Sequence, residues 1–170
     1  MNSQNDHLKE NICFFIILIM IQPSDLNKFN LLNGLSEEQI ENIIPLMIQE
    51  EYEPGVKIIT EGKPNDKIYF ITSGHVLVTI KDVVINNFSE GDAFGDMEVL
   101  DVMPATASIN ALSHIKVITI SNKALRAIYN IDVRTFSLIV MNIARELSRR
   151  LRKMVEKIVS VTPIESTDFS

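Results

Sequence analysis

The sequence predicts a mainly β domain, an antiparallel barrel or jelly roll flanked by helices. Between about Gln49 and Ile120, short runs rich in β-branched and aromatic residues alternate with Gly, Pro, Asn and Asp, the texture of an antiparallel all-β fold. Helical periodicity precedes this region in residues 24–48 and returns from Asn122 onward. With 170 residues, one domain can bury a core without disulfides or metals.

In the N-terminal helical region, Leu35, Ile40, Ile43, Ile44 and Met47 recur at helical spacing. Ser36 with Gln39 three residues later predicts a capped helix start. Pro45 predicts a kink or an end. Pro54-Gly55 is a turn before a strand at 56–60, and residues 62–66 form a second turn. Strands follow at 67–72 (KIYFIT) and 75–80 (HVLVTI), separated by Ser73-Gly74, then at 83–88, 106–109 and 115–120.

The last helix is expected over 133–161, because no Gly or Pro interrupts the chain before Pro163. Its length is roughly 43 Å at the α-helical rise, more than so small a domain needs. Phe136, Val140, Ile143 and Leu147 are followed by Leu151, Met154, Ile158 and Val161. They form a coiled-coil-type seam with an extra four-residue step after Leu147. This predicts a homodimer through 133–161; the alternative is a helix lying on its own barrel. Between Arg134 and Lys157 there are seven basic and two acidic residues, a local net of +5, which leaves −11 elsewhere against a total of −6. That face is either an anionic contact or simply solvated.

Composition narrows the class. At 46% hydrophobic and 22% charged, the chain is neither disordered throughout nor a low-complexity polymer. A single cysteine, Cys13, excludes an intramolecular disulfide framework and a Cys-only zinc cluster. The net charge argues against a general nucleic-acid binder. A reduced, cytoplasmic, soluble domain is expected. Residues 12–21 (ICFFIILIMI) are apolar throughout, yet as a helix they reach about half of the ~30 Å hydrocarbon core. Asp6 and Glu10 and the lack of a small-residue cleavage pattern argue against a signal peptide. The run is an extra packing helix, a weak membrane-facing anchor, or sequence ahead of a start at Met20. The expected organisation is an apolar extension at 1–23, a domain at 24–161 and a polar tail at 162–170.

The segment 88–111 reads FSEGDAFGDMEVLDVMPATASINA. Gly91-Asp92 is a turn, and Phe94-Gly95-Asp96 leads into a short helix over 97–100. A helix start of this kind offers unpaired backbone N–H groups to a phosphate. The blocks LLNGLSEEQIENI, EPGVKIITEGKPNDKIYFITSGHVLV, GDAFGDMEVLDVMPATASI and IARELSRRLRKM stand in this order from about Leu26 to Lys157. In these the chain resembles the cyclic-nucleotide-binding domain family, of the catabolite activator protein and cyclic-AMP-dependent kinase regulatory-subunit type. The resemblance implies an eight-stranded antiparallel jelly roll with N-terminal helices and a long C-terminal helix.

It also implies a regulatory ligand-sensing module, not an enzyme, with cyclic AMP or cyclic GMP, or another small anion, as ligand. The family's phosphate-binding loop runs F-G-E, a short apolar helix, then P-R-[ST/A]-A. Phe94 and Gly95 match, and Asp96 replaces the glutamate that binds the ribose 2′-hydroxyl. Met97, Glu98 and Val99 lie on the short helix whose backbone N–H groups complete the cradle. Pro104 matches, Ala105 occupies the place of the phosphate-pairing arginine, and Thr106 and Ala107 follow the pattern. The hydroxyl pair that the catabolite activator protein offers to adenine falls near Arg150-Leu151, which has none. Losing the arginine costs on the order of tenfold to a few-hundredfold in affinity. Arg126, Arg149 or Arg150 are candidates to replace its charge. The alternative is a ligand-free pseudo-domain acting in dimerisation or protein interaction.

Other chemistries have less support. His7, His75 and His114 are scattered, unlike the clustered ligands of a jelly-roll metal enzyme, and no haem-ligand spacing is evident. No nucleophile elbow, Walker loop or CxxC is present. Asp92 and Asp96 read as turn and pocket residues. About ten residues follow the long helix, against the roughly 60–80 of a helix-turn-helix domain, so no DNA-binding domain is expected.

Overall fold

A computed structural model describes residues 21–161. The tail and all of the apolar run except Ile21 lie outside the described residues; Ile21 is buried in the core. The elements are α1 (Pro23–Leu26), α2 (Glu37–Ile43), β1 (Ile48–Tyr52), β2 (Lys57–Ile59), β3 (Lys67–Ser73), β4 (His75–Ile80), β5 (Val83–Ser89), β6 (Ala93–Phe94), α3 (Asp96–Asp101), β7 (Ser108–Ala111), β8 (Ile115–Ser121), α4 (Asn122–Ile131) and α5 (Val133–Val161). Eight strands form two antiparallel four-stranded sheets, ordered β1-β8-β3-β6 and β2-β7-β4-β5. This is the expected jelly roll.

Alternation along the strands divides the core in two. On β3 and β8, Ile68, Phe70, Ile118 and Ile120 face the helices, where Leu26, Phe29, Ile40, Ile43, Ile128 and Ile139 cover them. Tyr69, Ile71, Ile115 and Val117 face the other way, into the barrel interior, with Val76, Val78, Phe94 and Ile109. Both faces of β3 are therefore buried, which explains its unbroken apolar run.

The N-terminal region is less continuous than its periodicity suggested. Only α1 and α2 are α-helical, joined by a 3-10 turn at Asn30–Leu32, and Ile48 already belongs to β1. The Ser36 cap forms: its hydroxyl accepts from the Gln39 N–H at 3.2 Å, and the Gln39 side chain accepts from the Ser36 N–H at 2.9 Å. Pro45 sits in a 3-10 turn that ends the helix. Two strands escaped the sequence reading. β1 (IQEEY) carries two acids, and β6 has only two residues.

α5 spans the expected residues, but its seam serves two surroundings. Ile139 and Ile143 are buried, and Phe136 and Leu147 pack against the helix-side core. The first half thus lies on its own domain, as the alternative reading of the helix has it. Asn142 fastens this half, its Nδ2 donating to the carbonyls of Leu31 at 3.2 Å and Asn33 at 2.7 Å. Asp132 caps the helix start, accepting from the Arg134 and Thr135 N–H groups, the Thr135 hydroxyl and Gln39 Nε2. Residues 151–160 are all exposed. The extra step after Leu147 marks this change. A second apolar and small-residue stripe, Met141, Ala144, Ser148, Leu151, Val155 and Ile158, runs at spacings of 3, 4, 3, 4, 3 on an exposed face, a regular heptad pattern without a stutter. Among the described residues, no helix is long and apolar enough to cross a membrane.

Candidate functional site

The loop 94–107 connects β6 to β7 along one end of the barrel. Gly95 opens it with φ +80°, and a Cβ there would meet the Lys67 carbonyl oxygen at 2.4 Å and Asn65 Nδ2 at 2.9 Å. Only glycine fits that approach. Asn65, which sequence reasoning passed over, holds the junction: its Nδ2 donates to the Lys67 carbonyl at 2.8 Å and to the Gly95 carbonyl at 3.4 Å. α3 spans Asp96–Asp101, one residue longer at each end than expected, and ends at Val102 in the left-handed region.

The matched residues separate into supports and lining. Phe94 is buried and stacks on Tyr69, centroids 4.7 Å apart, so it supports the loop from the barrel interior. Burial, then the charges of Glu50 and Asp66, push the Tyr69 phenol up to about 12, so the stacked ring stays neutral. Val99 is buried in the helix-side core. Met97 is exposed, while Glu98 and Ala107 are half-buried. Thr106 is exposed and lies in a bend before β7, which begins at Ser108, two residues later than expected. Ala105 is 2% exposed and packs with the barrel-interior cluster. Its N–H donates to the Lys63 carbonyl at 2.9 Å, and its carbonyl accepts from the Gly62 N–H at 2.7 Å. The position is therefore held firmly by the backbone, with a methyl group where a charge would have to stand.

Asp96 is 1% exposed, and its charge is met from the far end of the chain. Arg150 Nη1 donates to both carboxylate oxygens, at 3.1 and 3.2 Å. Nη2 donates to the Ala93 carbonyl at 2.7 Å, and Nε to Glu146 at 3.3 Å. The guanidinium also lies 5.2 Å from the Phe88 ring centroid, within cation–π range. Three candidates for a substitute charge are thereby sorted. Arg150 reaches the loop but binds its acid, Arg149 pairs with Glu146, and Arg126 is exposed on α4. Among the described residues, His75 and His114 lie outside this site. His114 Nε2 is 3.2 Å from Glu51, and His75 is exposed at the head of β4.

Comparisons with known proteins agree with this geometry. Residues 49–132 match the model of the cyclic nucleotide-binding domain. The type II regulatory subunit of cAMP-dependent protein kinase from Drosophila melanogaster is 28% identical over 79% of this chain, which spans about a third (32%) of that relative. Among solved structures, a cyclic nucleotide-binding domain from Methylobacillus flagellatus superposes with a TM-score of 0.74 at 24% identity, covering 90% of this chain and 86% of its own. The catabolite activator protein of Thermus thermophilus gives 0.67 at 23% identity, covering 78% of this chain and 62% of its own. The match over the strands and the loop makes residues 49–132 a member of the cyclic nucleotide-binding domain family, and the likeness to the solved structures shows the shared jelly roll.

Proposed function

We propose that the chain is a cytoplasmic, non-catalytic regulatory module whose loop 94–107 senses a small anionic ligand of the cyclic-nucleotide class. The observation that carries this reading is Asp96: a carboxylate 1% exposed, at the ribose-binding position of the loop, connected directly to the long helix. A buried carboxylate is costly unless it is paired, and this one is paired with Arg150 of the long helix, so a ligand that bound it would change that pairing. Asp96, Thr106 and the backbone of Gly95 to Val99 are the groups proposed to hold the ligand. Ala105 makes its grip on a phosphate weak.

Calorimetric titration with cyclic AMP and cyclic GMP, on the native chain and on Ala105→Arg, tests this. Weak binding by the native chain and a gain of about tenfold to a few-hundredfold in the variant are expected, from one or two charge-assisted hydrogen bonds. A folded Ala105→Arg protein that binds neither nucleotide at millimolar concentration would refute the reading.

A second reading rests on the exposed stripe of α5. Met141, Leu151, Val155 and Ile158 are 50–62% exposed in a strict heptad pattern, which suits a second copy of the chain. A homodimer would cover this stripe whether or not a ligand binds, and a module that only dimerises would still form it.

A further inference from the structure

We infer that Arg150 is an internal occupant of the candidate site, a residue that decides what reaches Asp96 by competing for its carboxylate. The inference rests on the ligand-sensing reading of the loop and adds to it the group that a ligand must displace. Arg150 covers Asp96 with two hydrogen bonds from one nitrogen. Its other nitrogens are held by the Ala93 carbonyl and by Glu146, which fixes the guanidinium in place over Phe88. A hydroxyl seeking the same carboxylate meets a charged donor already seated there, and a neutral hydroxyl alone is a weaker partner than a charged guanidinium.

The position of Arg150 along α5 gives this competition a consequence. Residue 150 is half-buried, and every residue from 151 to 160 is exposed. Arg150 thus stands at the boundary between the packed and the exposed stretch of α5. A ligand that takes Asp96 removes the tie of Arg150 to the loop and loosens α5 at the edge of its exposed segment. By linkage, anything that holds that segment in its present place opposes the ligand.

The test compares the native chain, Arg150→Gln and the double variant Asp96→Asn/Arg150→Gln, the last guarding against an uncompensated buried charge. Calorimetry with cyclic AMP is paired with hydrogen exchange of α5 in the absence of ligand. At least tenfold tighter binding by Arg150→Gln, lost again in the double variant, is expected. Faster exchange around 146–150 should appear in both variants. Measurable binding that is no tighter in Arg150→Gln overturns the competition while leaving the ligand reading intact. If none of the three proteins binds cyclic AMP, the ligand reading fails for that nucleotide, and exchange alone decides the fastening. Faster exchange in both variants retains Arg150 as the tie between loop and helix; unchanged exchange overturns it.

Discussion

Ile143 and Leu151 belong to one apolar seam in the sequence, yet the structure assigns them opposite energetic roles. Ile143 is fully buried in the helix-side core, whereas Leu151 is 62% exposed. Truncating Ile143 to alanine removes buried methyl groups and leaves a cavity, a change worth about 2–5 kcal/mol. For a chain of this size each kcal/mol shifts Tm by about 2–4 °C, so Ile143→Ala should melt roughly 4–20 °C lower. Leu151 has little more than a third of its surface left to lose. At about 1.5–3 kcal/mol for full burial of such a side chain, Leu151→Ala should cost about 0.5–1 kcal/mol within one chain. Thermal unfolding by circular dichroism at low protein concentration measures both effects. Sedimentation across a concentration series then shows whether Leu151→Ala weakens self-association while Ile143→Ala, where folded, preserves it. A Leu151→Ala protein as unstable as Ile143→Ala at the lowest concentration would refute the division of the helix into a packed and an exposed half.

Two further substitutions probe the loop and the helix corner. Gly95→Ala places a methyl group 2.4 Å from the Lys67 carbonyl oxygen at φ +80°; it should destabilise by about 2–4 kcal/mol, from left-handed backbone cost plus overpacking, read as a lower urea midpoint. The Thr135 hydroxyl, then Gln39 and the Arg134 N–H, lower the Asp132 carboxyl from 3.8 to about 2. Its stabilising effect is therefore complete above the unfolded value and disappears as pH falls from about 4 through 2. Asp132→Asn should flatten the acid limb of a pH–stability curve relative to the native chain. Identical slopes between pH 4 and 2 would refute that assignment.

The strands were legible where burial and punctuation agreed. The run KIYFIT is apolar because both of its faces are covered, and the expected span 75–80 coincides with β4. β1 was illegible because Glu50 and Glu51 interrupt the apolar signal. Their charges are met by groups distant in sequence: Lys67 Nζ lies 2.5 Å from Glu50, and Lys116 Nζ lies 3.1 Å from Glu51. The N-terminal periodicity was real, but it reports which side chains face the sheet, and short 3-10 turns satisfy that as well as one helix does. In the site, Gly95 and Asp96 were legible from local spacing. The partner of Asp96 was not, because it lies 54 residues away and its reach depends on how α5 crosses the domain. A sequence signal existed only as a clustered set of arginines, and nothing local separates Arg149, which pairs along its own helix, from Arg150, which reaches across to the loop.

That difference of one residue bears on how such a module can work. A helix that lay wholly on the domain would resist movement through many apolar contacts, individually weak but together too strong for a small ligand to undo. One that projected wholly into solvent would not register the site at all. In α5 the packed half ends with Leu147 against the core and Arg150 on Asp96, and the exposed half begins at the next residue. At Arg150 the boundary is polar, and displacing that side chain removes its ion pair with Asp96 and its hydrogen bond to Ala93 while Leu147 stays packed on the core. Coupling energies between sites are typically 1–3 kcal/mol, a factor of about 5–150, a scale that one exchanged charge-assisted contact can supply. In the proposed reading Ala105 and Arg150 act in the same direction: the first leaves a ligand without a charge partner, and the second competes for the remaining acid. A ligand strong enough to overcome both would act on a contact that joins loop and projecting helix.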